Sequence, residues 1–112
     1  MYSVEQIKAL IQQGKTEKFY NDKYWRRLSA EIIRENHNEC EFCKARGRVS
    51  KARLVHHVKY LKYFPHLAYS RYYVDDKGNK IKQLVALCQT CHEEQHPERR
   101  NGNVHFINVE KW

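Results

Sequence analysis

No stretch of this sequence approaches the roughly 18–20 consecutive apolar residues that a membrane-spanning helix needs. Its start, "MYSVEQIKAL", has no charged segment leading into an apolar block, so a signal peptide is not expected and the chain is expected in the cytoplasm. No internal repeat and no low-complexity tract is present, which excludes solenoid and linker-type chains. Acidic residues are in deficit, 13 against 21 lysines and arginines, so the formal charge is +8. A surplus of this size suits a polyanionic partner, most simply nucleic acid. Cysteine is limited to four positions, and none of them is left over once they are sorted by spacing. With 112 residues, one domain with a modest core is expected, and small domains of this kind often need a metal as a staple.

The four cysteines form two C-x-x-C pairs, Cys40/Cys43 and Cys88/Cys91. Two such pairs supply the four thiolates of one tetrahedral structural zinc. In the cytoplasm thiols stay reduced, which favours metal binding over disulfides. A thioredoxin-like redox pair explains one C-x-x-C but not two, and no βαβ pattern surrounds either.

Helices dominate the first third. "SVEQIKALIQQG" has Ser3 and Gln6 as a capping box, an apolar stripe of Val4, Ile7, Leu10 and Ile11, and Gly14 as a stop. "TEKFYNDKYWRRLSAEIIRENHN" continues as helix around a break at Asn21-Asp22, with Phe19, Tyr20, Trp25, Leu28, Ile32 and Ile33 as core positions. "LVHHV" reads as a short strand, "YLKYFPHLAYS" as irregular and aromatic, and "RYYVDDKGNKIKQLVAL" as strand, turn, strand with the bend at 76–79. "CQTCHEEQH" is a short helix that must end by Pro97, and the tail after it has the composition of a short strand.

On that last helix His92 and His96 are four apart and share a face, so both can grip one ion, while Cys91 leaves the helix about 100° away. The same residues spell His92-Glu93-Glu94-Gln95-His96, the H-E-x-x-H pattern of zinc metalloproteases, with Glu93 as base and His105 as a third ligand. Against a protease stand the flanking Cys91 and Pro97, the small size and the unused positive charge.

"LVHHVKYL" followed by "QLVALCQTCHEEQHPER", with "CEFC" upstream, resembles the HNH (ββα-metal) endonuclease family, most closely small phage-type members, over about residues 19–98. The resemblance implies an α+β fold, a His-Me finger of hairpin and helix around a catalytic ion, preceded by N-terminal helices (residues 1–36). The zinc-clamped core would then span 37–98, with a tail at 99–112. It implies a metal-dependent DNA endonuclease that nicks, leaving a 3′-hydroxyl and a 5′-phosphate. His56 would be a metal ligand together with His92 and His96, and His57 the general base. The family's Asn, which holds the base, is replaced by Gln83, with Asn79 as the other candidate. The structural ion would be zinc on Cys40, Cys43, Cys88 and Cys91, and the catalytic ion Mg, Mn, Ni or Zn. DNA would be the partner, and phage DNA-packaging proteins a further one in the host cytoplasm. Arg46, Arg48, Lys51 and Arg53 form a basic loop suited to phosphates, as are Lys44, Arg26, Arg27, Arg99 and Arg100. Adjacent residues in an ideal strand point to opposite faces, so His56 and His57 share a site only if the strand end is irregular. A DNA-binding module with an inactive nuclease centre is the alternative, because Gln83 departs from the pattern.

Overall fold

The computed structural model describes residues 1–95; the expected tail strand and the positions from His96 onward lie outside the described residues. Helix α1 (Val4–Gln12) begins as its sequence dictates. The Ser3 hydroxyl accepts from the Gln6 N–H, and the Gln6 side chain returns the bond to the Ser3 N–H. Gly14, at φ +69°, turns the chain out of the helix. Ile7 is buried, whereas Val4, on the first turn, remains 36% exposed. Helices α2 (Thr16–Tyr20) and α3 (Lys23–Glu35) flank the expected break, where the Asp22 carboxylate caps α3 by accepting from the Trp25 N–H. Trp25, Leu28 and Ile32 form the buried stripe of α3.

Beyond α3 the chain reverses through His37 and Asn38, both left-handed at φ 58° and 62°. It then enters the first cysteine knuckle, closed by the Glu39–Lys51 bridge and helix α4 (Glu41–Ala45). Strand β1 (Leu54–His57) follows, then a loop containing a short 3₁₀ turn at Pro65–Leu67. The segment expected to be strand, turn, strand is instead split in two. β2 (Tyr72–Val74) and β3 (Lys80–Lys82) form one small hairpin. β4 (Leu84–Leu87) leaves it at Gln83 to pair antiparallel with β1, with Leu54 opposite Leu87 and His57 opposite Leu84. Helix α5 (Gln89–Glu94) carries the second knuckle.

The β1–β4 ribbon is therefore a partition. On one side Val55, Leu84 and Ala86 pack with Phe19, Trp25, Leu28 and Ile32 of the helices. On the other, Leu54, Val58, Val85 and Leu87 pack with the cysteines and Phe42. Burial on both faces explains why β4 is an unbroken apolar run rather than an alternating one. Two acidic helix residues help fix the hairpin: Arg71 bonds both Glu31 and Glu35 of α3, at 3.1 and 2.8 Å. No helix among the described residues is long and apolar enough to cross a membrane.

Candidate functional site

All four cysteine sulfurs come within 4.8 Å of one another, and Cys40, Cys43 and Cys91 are buried. A zinc–sulfur bond of about 2.3 Å in a tetrahedron implies sulfurs about 3.8 Å apart. Cys43 Sγ lies 3.8 Å from Cys88 Sγ and 3.6 Å from Cys91 Sγ, so the spacing fits such an ion. In each knuckle the first cysteine caps the short helix that follows. Its sulfur accepts from the N–H three residues on, Cys43 N–H to Cys40 and Cys91 N–H to Cys88. Such N–H donors stabilise a thiolate, the form that binds metal. No disulfide joins these residues.

The alternation of β1 decides where the histidine pair goes. The strand is regular through His57, so its two histidines diverge. His56 takes the cysteine side, its ring 5.5 Å from that of His92 and 6.0 Å from that of Tyr60. Both His56 and His92 are buried. Two imidazoles at this separation can meet on one ion, since each metal–nitrogen bond is about 2.0–2.1 Å long. Helix α5 thus presents Cys91 to the sulfur cluster and His92 to His56. Their angular offset on the helix sends the two side chains in different directions, the sulfur to the cluster and the imidazole to His56. His96, expected as a further ligand, lies outside the described residues, as do His105, Arg99 and Arg100. Among the described residues, the one group of three or more His, Cys, Asp or Glu ligand atoms close enough to hold an ion is the four cysteines.

His57 takes the helical side. Its ring stacks on Trp25 at 4.8 Å and 15°, flanked by Phe19 and Tyr20. Its Nε2 is 3.0 Å from the Ala68 carbonyl oxygen, which can only accept, so Nε2 carries the proton and Nδ1 the basic lone pair. Burial lowers its pKa to about 4, opposed in part by the Ala68 bond. The structure does not bring His57 to the His56–His92 pair.

Gln83 is fully buried, and its amide embraces one residue. Nε2 donates to the Lys59 carbonyl at 2.8 Å, and Oε1 accepts from the Lys59 N–H at 2.9 Å. The preceding rung is an ordinary backbone bond from Val58 N–H to the Gln83 carbonyl. A side chain therefore extends the β1 pairing by one residue and pins the chain just after the histidines. Gln83 makes no bond to His57 among those observed. Asn79 belongs to the hairpin turn, where its N–H and side-chain amide both bond Asp75.

Of the basic loop, Arg46 is paired with Glu94 of α5 at 3.4 Å, while Arg48, Lys51 and Arg53 are exposed. Glu93 is exposed and accepts a bond from the Gln89 side chain, one turn earlier on the helix. The sequence of the aromatic loop after β1 points to no role by itself. In the structure Tyr60, Tyr63 and Phe64 join Phe42 and Lys59 around a cavity of about 430 Å³ that opens beside His56.

No protein-family model and no curated protein sequence matches the chain. A solved structure does: the HNH endonuclease of the deep-sea thermophilic bacteriophage GVE2, determined with a manganese ion. The TM-score is 0.62 and the identity 20%, over 92% of this chain and all of that one. The protein thus has the fold of an HNH endonuclease, as the pattern of histidines and cysteines implies.

Proposed function

We propose that the protein is a metal-dependent DNA endonuclease. The observation that carries this is the meeting of His56 from β1 with His92 from α5, next to the cysteine cluster, in a fold shared with an HNH endonuclease. His56 and His92 would hold the catalytic ion, with His96 as a further ligand. The four cysteines would hold a structural zinc. When bound, the catalytic ion neutralises charge that builds on the phosphoryl and leaving oxygens. A basic chain supplies attraction for the phosphate backbone through Arg48, Lys51 and Arg53, which gives affinity without sequence choice. Imidazole ligands suit Zn or Ni by affinity, while manganese accompanies the GVE2 enzyme, so Mn and Mg are supplied beside Zn and Ni.

We assign the general base to His57, through Nδ1. The assignment rests on the family resemblance and on the Ala68 carbonyl, which holds the tautomer that leaves Nδ1 basic. Because His57 lies across β1 from His56, this role requires the end of the strand to open when DNA binds. Its burial supports a second reading, in which His57 is a core histidine and the protein binds DNA without cutting it.

The test is conversion of supercoiled plasmid to nicked circles by the full-length, zinc-loaded chain across Mg, Mn, Ni and Zn. Nicking with at least one ion, abolished in His92→Ala, is expected, with products bearing a 3′-hydroxyl and a 5′-phosphate. DNA binding without nicking under any of these ions would select the second reading.

A further inference from the structure

The cavity beside His56 is more aromatic than a phosphodiester centre requires. Neither a metal ion nor a phosphate needs rings, yet Phe42, Tyr60, Tyr63 and Phe64 surround this one opening. Phe42 also packs on the cysteine-side core, but the loop rings reach solvent. Tyr63 is 64% exposed, and Phe64 is half-buried. Cations are interleaved with the rings: Lys59 Nζ sits 4.7 Å from the centre of Phe64 and 4.8 Å from that of Tyr73, and Lys62 Nζ 5.4 Å from that of Tyr63. The floor is held in place from two directions. Gln83 clamps the backbone of Lys59, and the Tyr60 hydroxyl donates to the Gln95 carbonyl.

We propose that this cavity binds an unpaired nucleobase, and that the substrate strand reaches His56 single-stranded or locally melted. In a duplex the faces of the bases are covered by their neighbours. Only a splayed or single strand can offer a π-face to a protein ring, which is why aromatic side chains interleaved with cations mark single-strand sites. A cavity of about 430 Å³ is in the range that encloses a small-molecule-sized group. Tyr63 is the exposed ring on which a base stacks, and Lys59 and Lys62 take the flanking phosphates. The inference deepens the nuclease reading of the His56–His92 centre and rests on it for the scissile position.

Binding is measured by fluorescence anisotropy on the full-length, zinc-loaded chain with no other divalent ion added. The probes are an oligothymidylate, a duplex of equal length, and an abasic strand with the same phosphates. The oligothymidylate should bind at least about five-fold tighter than the other two, since one stacked base contributes about 1–3 kcal/mol, or roughly 5- to 150-fold. Tyr63→Ala should lose a factor in that range on the oligothymidylate alone, with an unchanged melting temperature, and Tyr63→Phe should retain wild-type binding. Equal affinity for abasic and thymidine strands, a preference for duplex, or wild-type binding by Tyr63→Ala would each overturn the proposal. Binding and nicking fail separately. A chain that prefers the oligothymidylate but nicks nothing sinks the nuclease reading and leaves the stacking site. One that nicks plasmid yet prefers duplex does the reverse.

Discussion

Replacing Gln83 by Met removes an amide while keeping nearly the same length and volume, so the change isolates two hydrogen bonds. Both go to Lys59, at 2.8 and 2.9 Å, from a side chain with no exposed surface. Each bond contributes about 1 kcal/mol net, and a buried partner left unmade costs about 1–3 kcal/mol more. Lys59 is only half-buried, so its freed N–H and carbonyl can recover part of that loss from water. The sum is about 2–4 kcal/mol, a large share of the roughly 5–15 kcal/mol that holds a small domain together. At about 4–8 °C per kcal/mol, the melting temperature should fall by about 10–25 °C. Gln83→Asn keeps the amide on an arm one methylene shorter and should cost less than Gln83→Met. The assay is urea unfolding at saturating zinc, followed by tryptophan fluorescence, since Trp25 is buried in the core. A Gln83→Met protein within about 0.5 kcal/mol of wild type would refute the idea that this amide fastens the strand end.

Metal analysis should find about one zinc per chain, and Cys91→Ser should unfold the domain or sharply lower its melting point; a variant that melts like wild type would remove the structural metal. His92→Ala should abolish nicking and recover part of it in excess divalent metal, which Cys91→Ser should not. His57→Ala should lower nicking by roughly two to four orders of magnitude with no recovery on adding metal; full activity in a folded His57→Ala protein would make this histidine purely a core residue. Glu93→Gln should nick within a few-fold of wild type, and loss of nicking together with peptidase activity would reinstate the H-E-x-x-H interpretation.

Local signals in the chain carried far. The Ser3 cap, the break at Asn21-Asp22 and both cysteine knuckles are written in short-range chemistry and stand where their residues put them. The divergence of His56 and His57 was legible as a condition, because it follows from strand alternation once β1 is regular. The split of the second strand was not. It falls at Gln83, whose side chain bonds Lys59, 24 residues away, a substitute for a backbone rung that no periodicity announces. The aromatic cavity was hidden for a similar reason. Phe42 comes from α4, Tyr60, Tyr63 and Phe64 from the loop after β1, and only the fold brings them to one opening.

Helix α5 gives its Cys88 and Cys91 to one centre and its His92 to another, with no residue between Cys91 and His92. Two ligand sites on one six-residue helix cannot be independent. So short a helix is not stable alone, and an ion on the thiolates would add to the Arg46–Glu94 pair and the Tyr60–Gln95 bond that hold it folded. On the proposed assignment, an ion on the thiolates would raise the affinity of the imidazole pair for a second ion, and by thermodynamic reciprocity the second ion would raise that of the sulfur site by the same factor. A chelator strong enough to strip the thiolates would therefore weaken both sites together, and the second ion would rebind only at a concentration higher by that factor.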